Sequence, residues 1–309
     1  MRRGVVLGAL LAIGGLSLAA AAFQAPQRGQ PPAKPIEMQK IKDNLYVLLS
    51  NVAGSAEFTG GASAIFITDA GVVLVDTKNA GEGPLILEKI KSVTDKPVSM
   101  IINTHTHGDH TGNDGFFGAT VDIVTQENTK TNMEKMDAFK GDNAKFLPKK
   151  TFKDKMSLTS GKDRIDLYYF GAAHTNGDAV VVFPSLRVAH TGDLFSGKNP
   201  PRIDPANGGS GVAYPQSAAK MVADLKNVDT VITGHSRVMT WKDAQEWGRF
   251  SQDFFNAVQT AMRAGKSTDE AAAVVSTSLN DKYSEYGLQG AFKDRVKEDV
   301  GIIYKELQK

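Results

Sequence analysis

The segment THTHGDH at residues 104–110 constrains this chain more than any other stretch. Three of the six histidines and one carboxylate fall inside it, and imidazole and carboxylate are the natural ligands of zinc and similar divalent ions. An apolar run at residues 98–102 comes just before it and reads as a strand. His105 and His107 are two positions apart, so at a strand end both imidazoles point the same way and can grip one ion. Gly108 then lets the chain turn, which leaves Asp109 and His110 to face a second ion. The β-structure before the run supplies the rigid base such a site needs.

Around this segment, strand and helix signals alternate. Residues 45–49, 64–68 and 72–76 are short apolar runs, the last two joined by the tight connection Asp69-Ala70-Gly71. Pro84 sits near the start of a helix with Leu87, Ile90 and Val93 among its apolar positions. A strand at 121–125 and a polar, exposed helix at 127–140 follow, then strands at 165–170, 179–183, 187–190 and 230–233. Pro215 opens a helix with Ala218, Met221, Val222 and Leu225 on one face. From about Trp241 the pattern is helix only. Trp247, Phe250, Phe254, Val258 and Ala261 mark one stripe, Ser267 and Glu270 have capping-box spacing, and Phe292, Val296, Val300, Ile303 and Leu307 mark a last stripe. Such stripes read as core-facing.

Residues 1–22 read as a secretory signal: Arg2 and Arg3 give a basic start, residues 5–18 a short apolar run, and Ala20-Ala21-Ala22 a cleavage site. The run is too short and too rich in Gly and Ala for a membrane span. The expectation is a periplasmic or secreted protein with no stable membrane anchor after cleavage. Residues 23–35, rich in Pro and Gln, read as a disordered linker. Losing Arg2 and Arg3 takes the formal charge from +2 to zero, so nothing favours nucleic acid or an acidic membrane surface as a partner. The chain has no Cys, which excludes disulfides, thiolate metal sites and a cysteine nucleophile.

Three further ligand candidates stand where strands give way to loops: His174 in GAAHTNGD, Asp193 in HTGD and His235 in TGHS. The order HxHxDH, His, Asp, His resembles the metallo-β-lactamase superfamily from about residue 36 to His235. The resemblance implies an α+β fold, the four-layer αββα metallo-β-lactamase sandwich. Residues 36–240 would form the catalytic domain, with a C-terminal helical extension, residues 241–309, packed on it. It implies that His105, His107 and His174 bind a first Zn2+ ion, that Asp109, His110 and His235 bind a second, and that Asp193 bridges them, with iron or manganese as alternative metals. Asp76, in Val75-Asp76-Thr77, matches a motif that braces the metal loop. Asp193 stands where one β-lactamase subgroup has a cysteine; a bridging Asp is more typical of the superfamily's lactonases, thioesterases, glyoxalase-type and nucleic-acid-processing members.

On this assignment the two aspartates and a bridging hydroxide leave a net positive charge on the ions to stabilise an oxyanion. The hydroxide attacks a carbonyl-type substrate, and Asp109 is the catalytic residue that shuttles its proton. Thr175 and Asp178 are expected to support His174, and His190 to serve the core. Substrate contacts are expected from Phe58, on a flap at residues 53–61, from Lys198 or Arg202 toward a substrate carboxylate, and from Tyr214 toward an oxyanion or leaving group. The function expected is a metal-dependent hydrolase of small molecules. A β-lactam comes first, and a lactone, ester or thioester is the rival substrate. An iron-dependent persulfide oxygenase and a non-catalytic metal-binding module are the other classes, and the assembly expected is a monomer or homodimer.

Overall fold

The computed structural model describes residues 36–50 and 57–309. The signal and linker expected at 1–35 lie outside the described residues, as do residues 53–56 of the expected flap. The first sheet takes its strands in chain order: β1 (Glu37–Lys42), β2 (Leu45–Leu49), β3 (Ser63–Ile67), β4 (Val72–Val75), β5 (Val98–Ile102), β6 (Asp122–Gln126) and β7 (Lys150–Phe152). The strands from β1 to β4 pair antiparallel and those from β4 to β7 pair parallel. Helix α1 (Gly83–Lys91) makes the crossover between β4 and β5. The short helices α2 (Gly108–Thr111) and α3 (Glu127–Met133) follow β5 and β6.

The second sheet contains β8 (Lys155–Leu158), β9 (Ile165–Tyr169), β10 (Ala179–Phe183), β11 (Val188–His190), β12 (Thr230–Ile232) and β13 (Met239–Thr240). They lie in that spatial order, all antiparallel except β11 with β12. Between β11 and β12 runs α4 (Tyr214–Asp224). After β13 come α5 (Trp241–Arg263), α6 (Thr268–Asn280) and α7 (Lys293–Leu307).

Burial explains the unbroken apolar runs. Val73 and Val75 of β4 meet Val181 and Phe183 of β10 in the core between the sheets. Val72 and Leu74 face outward to Ile86 and Ile90 of α1, and Val180 and Val182 face outward to α4 and α5. A strand covered on both faces needs apolar side chains at every position. The result is the αββα sandwich. Trp247, Phe250, Phe254, Val258 and Ala261 are buried in one cluster with the outer face of the second sheet, so the C-terminal stripes are core-facing. Capping boxes at Thr240/Asp243 and Ser267/Glu270 start α5 and α6.

Local readings differ in places. The helix expected at 127–140 stops at Met133, and its face Thr129, Asn132, Met133 is buried, because Thr129 and Asn132 donate to the loop after His174. Val93 lies past the end of α1, whose buried side chains are Ile86 and Ile90. Among the described residues no helix is long and apolar enough to cross a membrane.

Candidate metal centre

Val75 pairs with Ile102, so the C-terminal ends of β4 and β5 lie side by side and set Asp76 against the metal loop. Asp76 has a left-handed backbone, φ 59°, that turns its carboxylate inward. One oxygen accepts the Thr104 N–H at 2.8 Å; the other accepts the Thr104 hydroxyl at 2.8 Å and His110 Nδ1–H at 2.7 Å.

Each imidazole of the first group has its outer nitrogen committed to a protein acceptor. His105 Nδ1 lies 3.0 Å from Thr104 Oγ1, whose own proton goes to Asp76, so His105 donates. His107 Nε2–H donates to Asp204 Oδ2 at 2.7 Å, and His174 Nδ1–H to the Arg202 carbonyl at 2.6 Å. In a neutral imidazole an outer nitrogen that donates leaves a lone pair on the inner one. His105 Nε2 is buried with no partner, and His107 Nδ1 stands 3.0 Å from His174 Nε2. Two lone pairs at that distance repel each other unless a cation lies between them. Ligands at ~2.1 Å from a tetrahedral ion are ~3.4 Å apart, so this donor set fits one.

The ligand atoms of His105, His107, His174 and Asp193 lie within 4.8 Å of one another, and so do those of Asp109, His110 and His235. Asp193 touches both groups. Its Oδ2 is 3.5 Å from His174 Nε2 and 3.0 Å from His235 Nε2, and its Oδ1 is 3.5 Å from His110 Nε2. The strap before β3 closes the second group: Gly61 N–H donates to Asp109 O at 2.9 Å, and a side chain at Gly61 would overlap the His110 ring.

The two groups differ electrostatically. Burial, and then the charge of His110, pushes His105 well below the usual histidine range. Burial takes His174 to about 4. Both are neutral donors at neutral pH. Burial also disfavours charge on His110, but Asp76, Asp193 and Asp109 outweigh it and raise its pKa well above the usual value. Burial opposes charge on Asp193 too, yet His235 and His110 hold it well below the carboxylate range. The space among these carboxylates favours positive charge, and in the protein alone a proton on His110 supplies it.

The sequence profile described as the Metallo-beta-lactamase superfamily matches residues 58–235. The chain belongs to this superfamily. It is 30% identical over 221 residues to the "Metallo-beta-lactamase type 2" of Elizabethkingia meningoseptica, covering 67% of this chain and 80% of that one. It is 26% identical over 204 residues to metallo-beta-lactamase IND-1 of Chryseobacterium indologenes, covering 65% and 81%. A metallo-beta-lactamase structure from Pontibacter korlensis aligns with a TM-score of 0.60 at 21% identity, over 71% of this chain and 99% of that one. The DIM-1 metallo-beta-lactamase aligns at 0.58 and 16%, over 70% and 97%. The fold is thus the metallo-beta-lactamase sandwich, and the chain is a metal-dependent hydrolase.

The other residues singled out in the sequence divide. Asp178 accepts the Thr175 N–H at 2.9 Å and its hydroxyl at 2.6 Å, closing the turn after His174 without touching the imidazole. Phe58, partly exposed, has its ring 5.7 Å from that of His235. Arg202 is exposed. Lys198 is not available to a substrate carboxylate: its ammonium lies 2.8 Å from Glu285, 3.1 Å from Asp243 and 3.5 Å from Glu246, turned toward the C-terminal helices. Tyr214 is not a substrate contact either, because its buried hydroxyl donates to the Asp193 and Leu194 carbonyls. His190 spends both ring nitrogens on backbone, donating to Ala62 O and accepting from Gly192 N–H, each at 3.2 Å.

Two residues had no sequence signal. Asp204 orients His107, and that hydrogen bond, with burial opposing, holds its carboxyl below the usual range. Lys78 is fully buried and donates to Gly61 O at 2.8 Å, and burial lowers its pKa to about 7. A lysine is read as exposed by default.

Proposed function

We propose that this chain is an exported binuclear zinc hydrolase whose first substrate class is the β-lactam, a strained cyclic amide, with lactones, esters or thioesters as the alternative. His105, His107 and His174 hold one ion, Asp109, His110 and His235 hold the other, and Asp193 lies between them. The observation behind this is the set of inward imidazole nitrogens, each ring held by a hydrogen bond at its outer nitrogen, and the inner nitrogens unpartnered or facing each other at 3.0 Å. The 30% identity to a metallo-beta-lactamase type 2 supports the cyclic amide. Cleavage after residue 22 would deliver the protein to the periplasm or outside the cell.

When bound, such ions supply Lewis acidity toward a carbonyl oxygen and a water that loses its proton near neutral pH. The protein's own groups do the rest. Asp109, partly exposed with Oδ2 3.5 Å from His235 Nε2, accepts a proton at that oxygen and returns it to the leaving nitrogen or oxygen. Asp76 and Asp204 keep His110 and His107 aimed inward. Phe58 offers an apolar face beside His235, and exposed Arg202 offers a guanidinium to a substrate carboxylate.

Hydrolysis of a chromogenic cephalosporin by the zinc-loaded protein, with His107→Ala as blank, tests the reading. A kcat/KM of roughly 10⁴ M⁻¹s⁻¹ or more that vanishes in the variant is expected. Cephalosporin turnover at blank level, with a lactone or thioester cleaved at that rate, would transfer the assignment to the alternative. Undiminished turnover by His107→Ala would sink the ligand assignment.

A further inference from the structure

We propose that the last turn of α7 is a strut that positions His107 and His174, with Glu306 acting through the loop of residues 202–212. This rests on the reading of those histidines as metal ligands. α7 lies beyond residues 58–235, the span matched by the family profile, so the strut is an addition outside that span.

Glu306 sits one residue before the end of α7. A carboxylate there faces the negative end of the helix dipole, an unfavourable place for it. Three donors from one loop compensate. Ser210 Oγ–H donates to Oε2 at 2.8 Å, Val212 N–H to Oε2 at 3.1 Å and Gly211 N–H to Oε1 at 3.1 Å. These groups lead into α4, where backbone donors lack partners within the helix and an anion is favoured. One turn earlier on α7, Ile303 packs so closely on Gly211 that any side chain there would overlap it.

The same loop grips both histidines. Ser210 N–H donates to Ala173 O at 3.0 Å, and Gly209 N–H to Asp204 O at 2.8 Å. Asp204 N–H donates to His174 O at 2.9 Å, and its carboxylate accepts His107 Nε2–H at 2.7 Å. Arg202 O accepts His174 Nδ1–H at 2.6 Å. Hydrogen bonds joined by short stretches of this one loop thus connect Glu306 to both imidazoles, so releasing the carboxylate frees the loop that sets their orientation.

The test uses the full chain with Glu306→Ala, Glu306→Gln and Ser210→Ala. Zinc affinity is measured by competition with a chromophoric chelator, well below each variant's Tm, and backbone hydrogen exchange is measured in the metal-free protein. Loss of a group that orients a ligand costs ~10- to 100-fold in metal affinity, so Glu306→Ala should weaken the first ion about tenfold. Glu306→Gln, which keeps one acceptor oxygen, should weaken it less. Exchange at residues 209–212 should rise before any metal is added. A Glu306→Ala protein that melts lower yet binds the first ion like wild type would overturn the strut and leave only a packing contact. Should Glu306→Ala not fold, unchanged affinity in both Glu306→Gln and Ser210→Ala overturns it equally. A wild type that binds no zinc would remove the metal-centre reading, and the strut with it.

Discussion

Asp76→Asn isolates the charge that braces the proposed centre. Asn matches Asp in size and tolerates the left-handed backbone at this position, φ 59°, so backbone strain does not enter. Its carbonyl keeps the Thr104 N–H, but its amide then faces His110 Nδ1–H, donor against donor. The Thr104 hydroxyl also loses its acceptor. Asp76, Thr104 and His110 are all buried, so no water replaces these bonds. A buried hydrogen bond to a charged group contributes about 1.5–3 kcal/mol, and both lost bonds are to the Asp76 carboxylate, which puts the loss near 3–6 kcal/mol. At about 2–4 °C per kcal/mol for a chain of this size, metal-free Tm should fall by roughly 6–24 °C. His110 escapes the clash by turning its proton inward, where it opposes a cation, so second-ion affinity should fall by ~10- to 100-fold. The first ion should weaken less, because Asp76 reaches His105 only through Thr104. Calorimetry and chelator competition read both numbers. An Asp76→Asn protein that holds the second ion with wild-type affinity would refute the claim that this carboxylate sets the imidazole's proton.

The two sites should separate by pH. His174 titrates near about 4 and His105 well below its usual range, so neither imidazole carries a proton to expel at neutral pH, whereas His110, raised by its carboxylate neighbours against burial, does. Lowering the pH from about 8 to about 6 should release the second ion first, and titration calorimetry in buffers of different ionisation enthalpy should show about one proton leaving with it; equal proton release at both sites would contradict this. Tyr214→Phe removes a hydroxyl that donates to the Asp193 and Leu194 carbonyls, so stability should fall by about 1–2 kcal/mol with KM unchanged. A tenfold rise in KM would restore Tyr214 as a substrate contact.

The features legible in the sequence were those with a local signature. β5 and β10 begin and end at the residues expected because their apolar runs stop abruptly at polar or turn residues. His105 and His107 announce themselves by composition and spacing alone, in the loop between the end of β5 at Ile102 and α2. β1, EMQKIK, was not legible, because as an edge strand it carries mostly polar side chains. The direction of a long side chain was not legible either. Lys198 has the chemistry of a carboxylate binder, but Asp243, Glu246 and Glu285 claim it from 45 to 87 residues away. Asp204 meets His107 across 97 residues, a contact that packing creates and no local pattern announces.

The proposed bridging position of Asp193 ties these observations together. A thiolate offers one donor atom, whereas Asp193 offers two, and it uses them differently. Oδ2 sits near His174 and His235, one from each ligand group, while Oδ1 turns to His110. Gly234 makes room for this, since a side chain there would run into Oδ1. One carboxylate can therefore address an imidazole-only group, in which His105 and His174 are neutral, and a carboxylate-rich group, in which His110 is charged. In the proposed centre His105 and His174, both neutral, would take up an ion without giving up a proton. The second would exchange the His110 proton for an ion, and it contains Asp109, whose carboxylate is partly open to solvent. In the proposed centre this asymmetry would give firm retention to the group that holds the buried His105 and His174. It leaves proton traffic to the side where Phe58 lies near His235 and is proposed to offer substrate an apolar face.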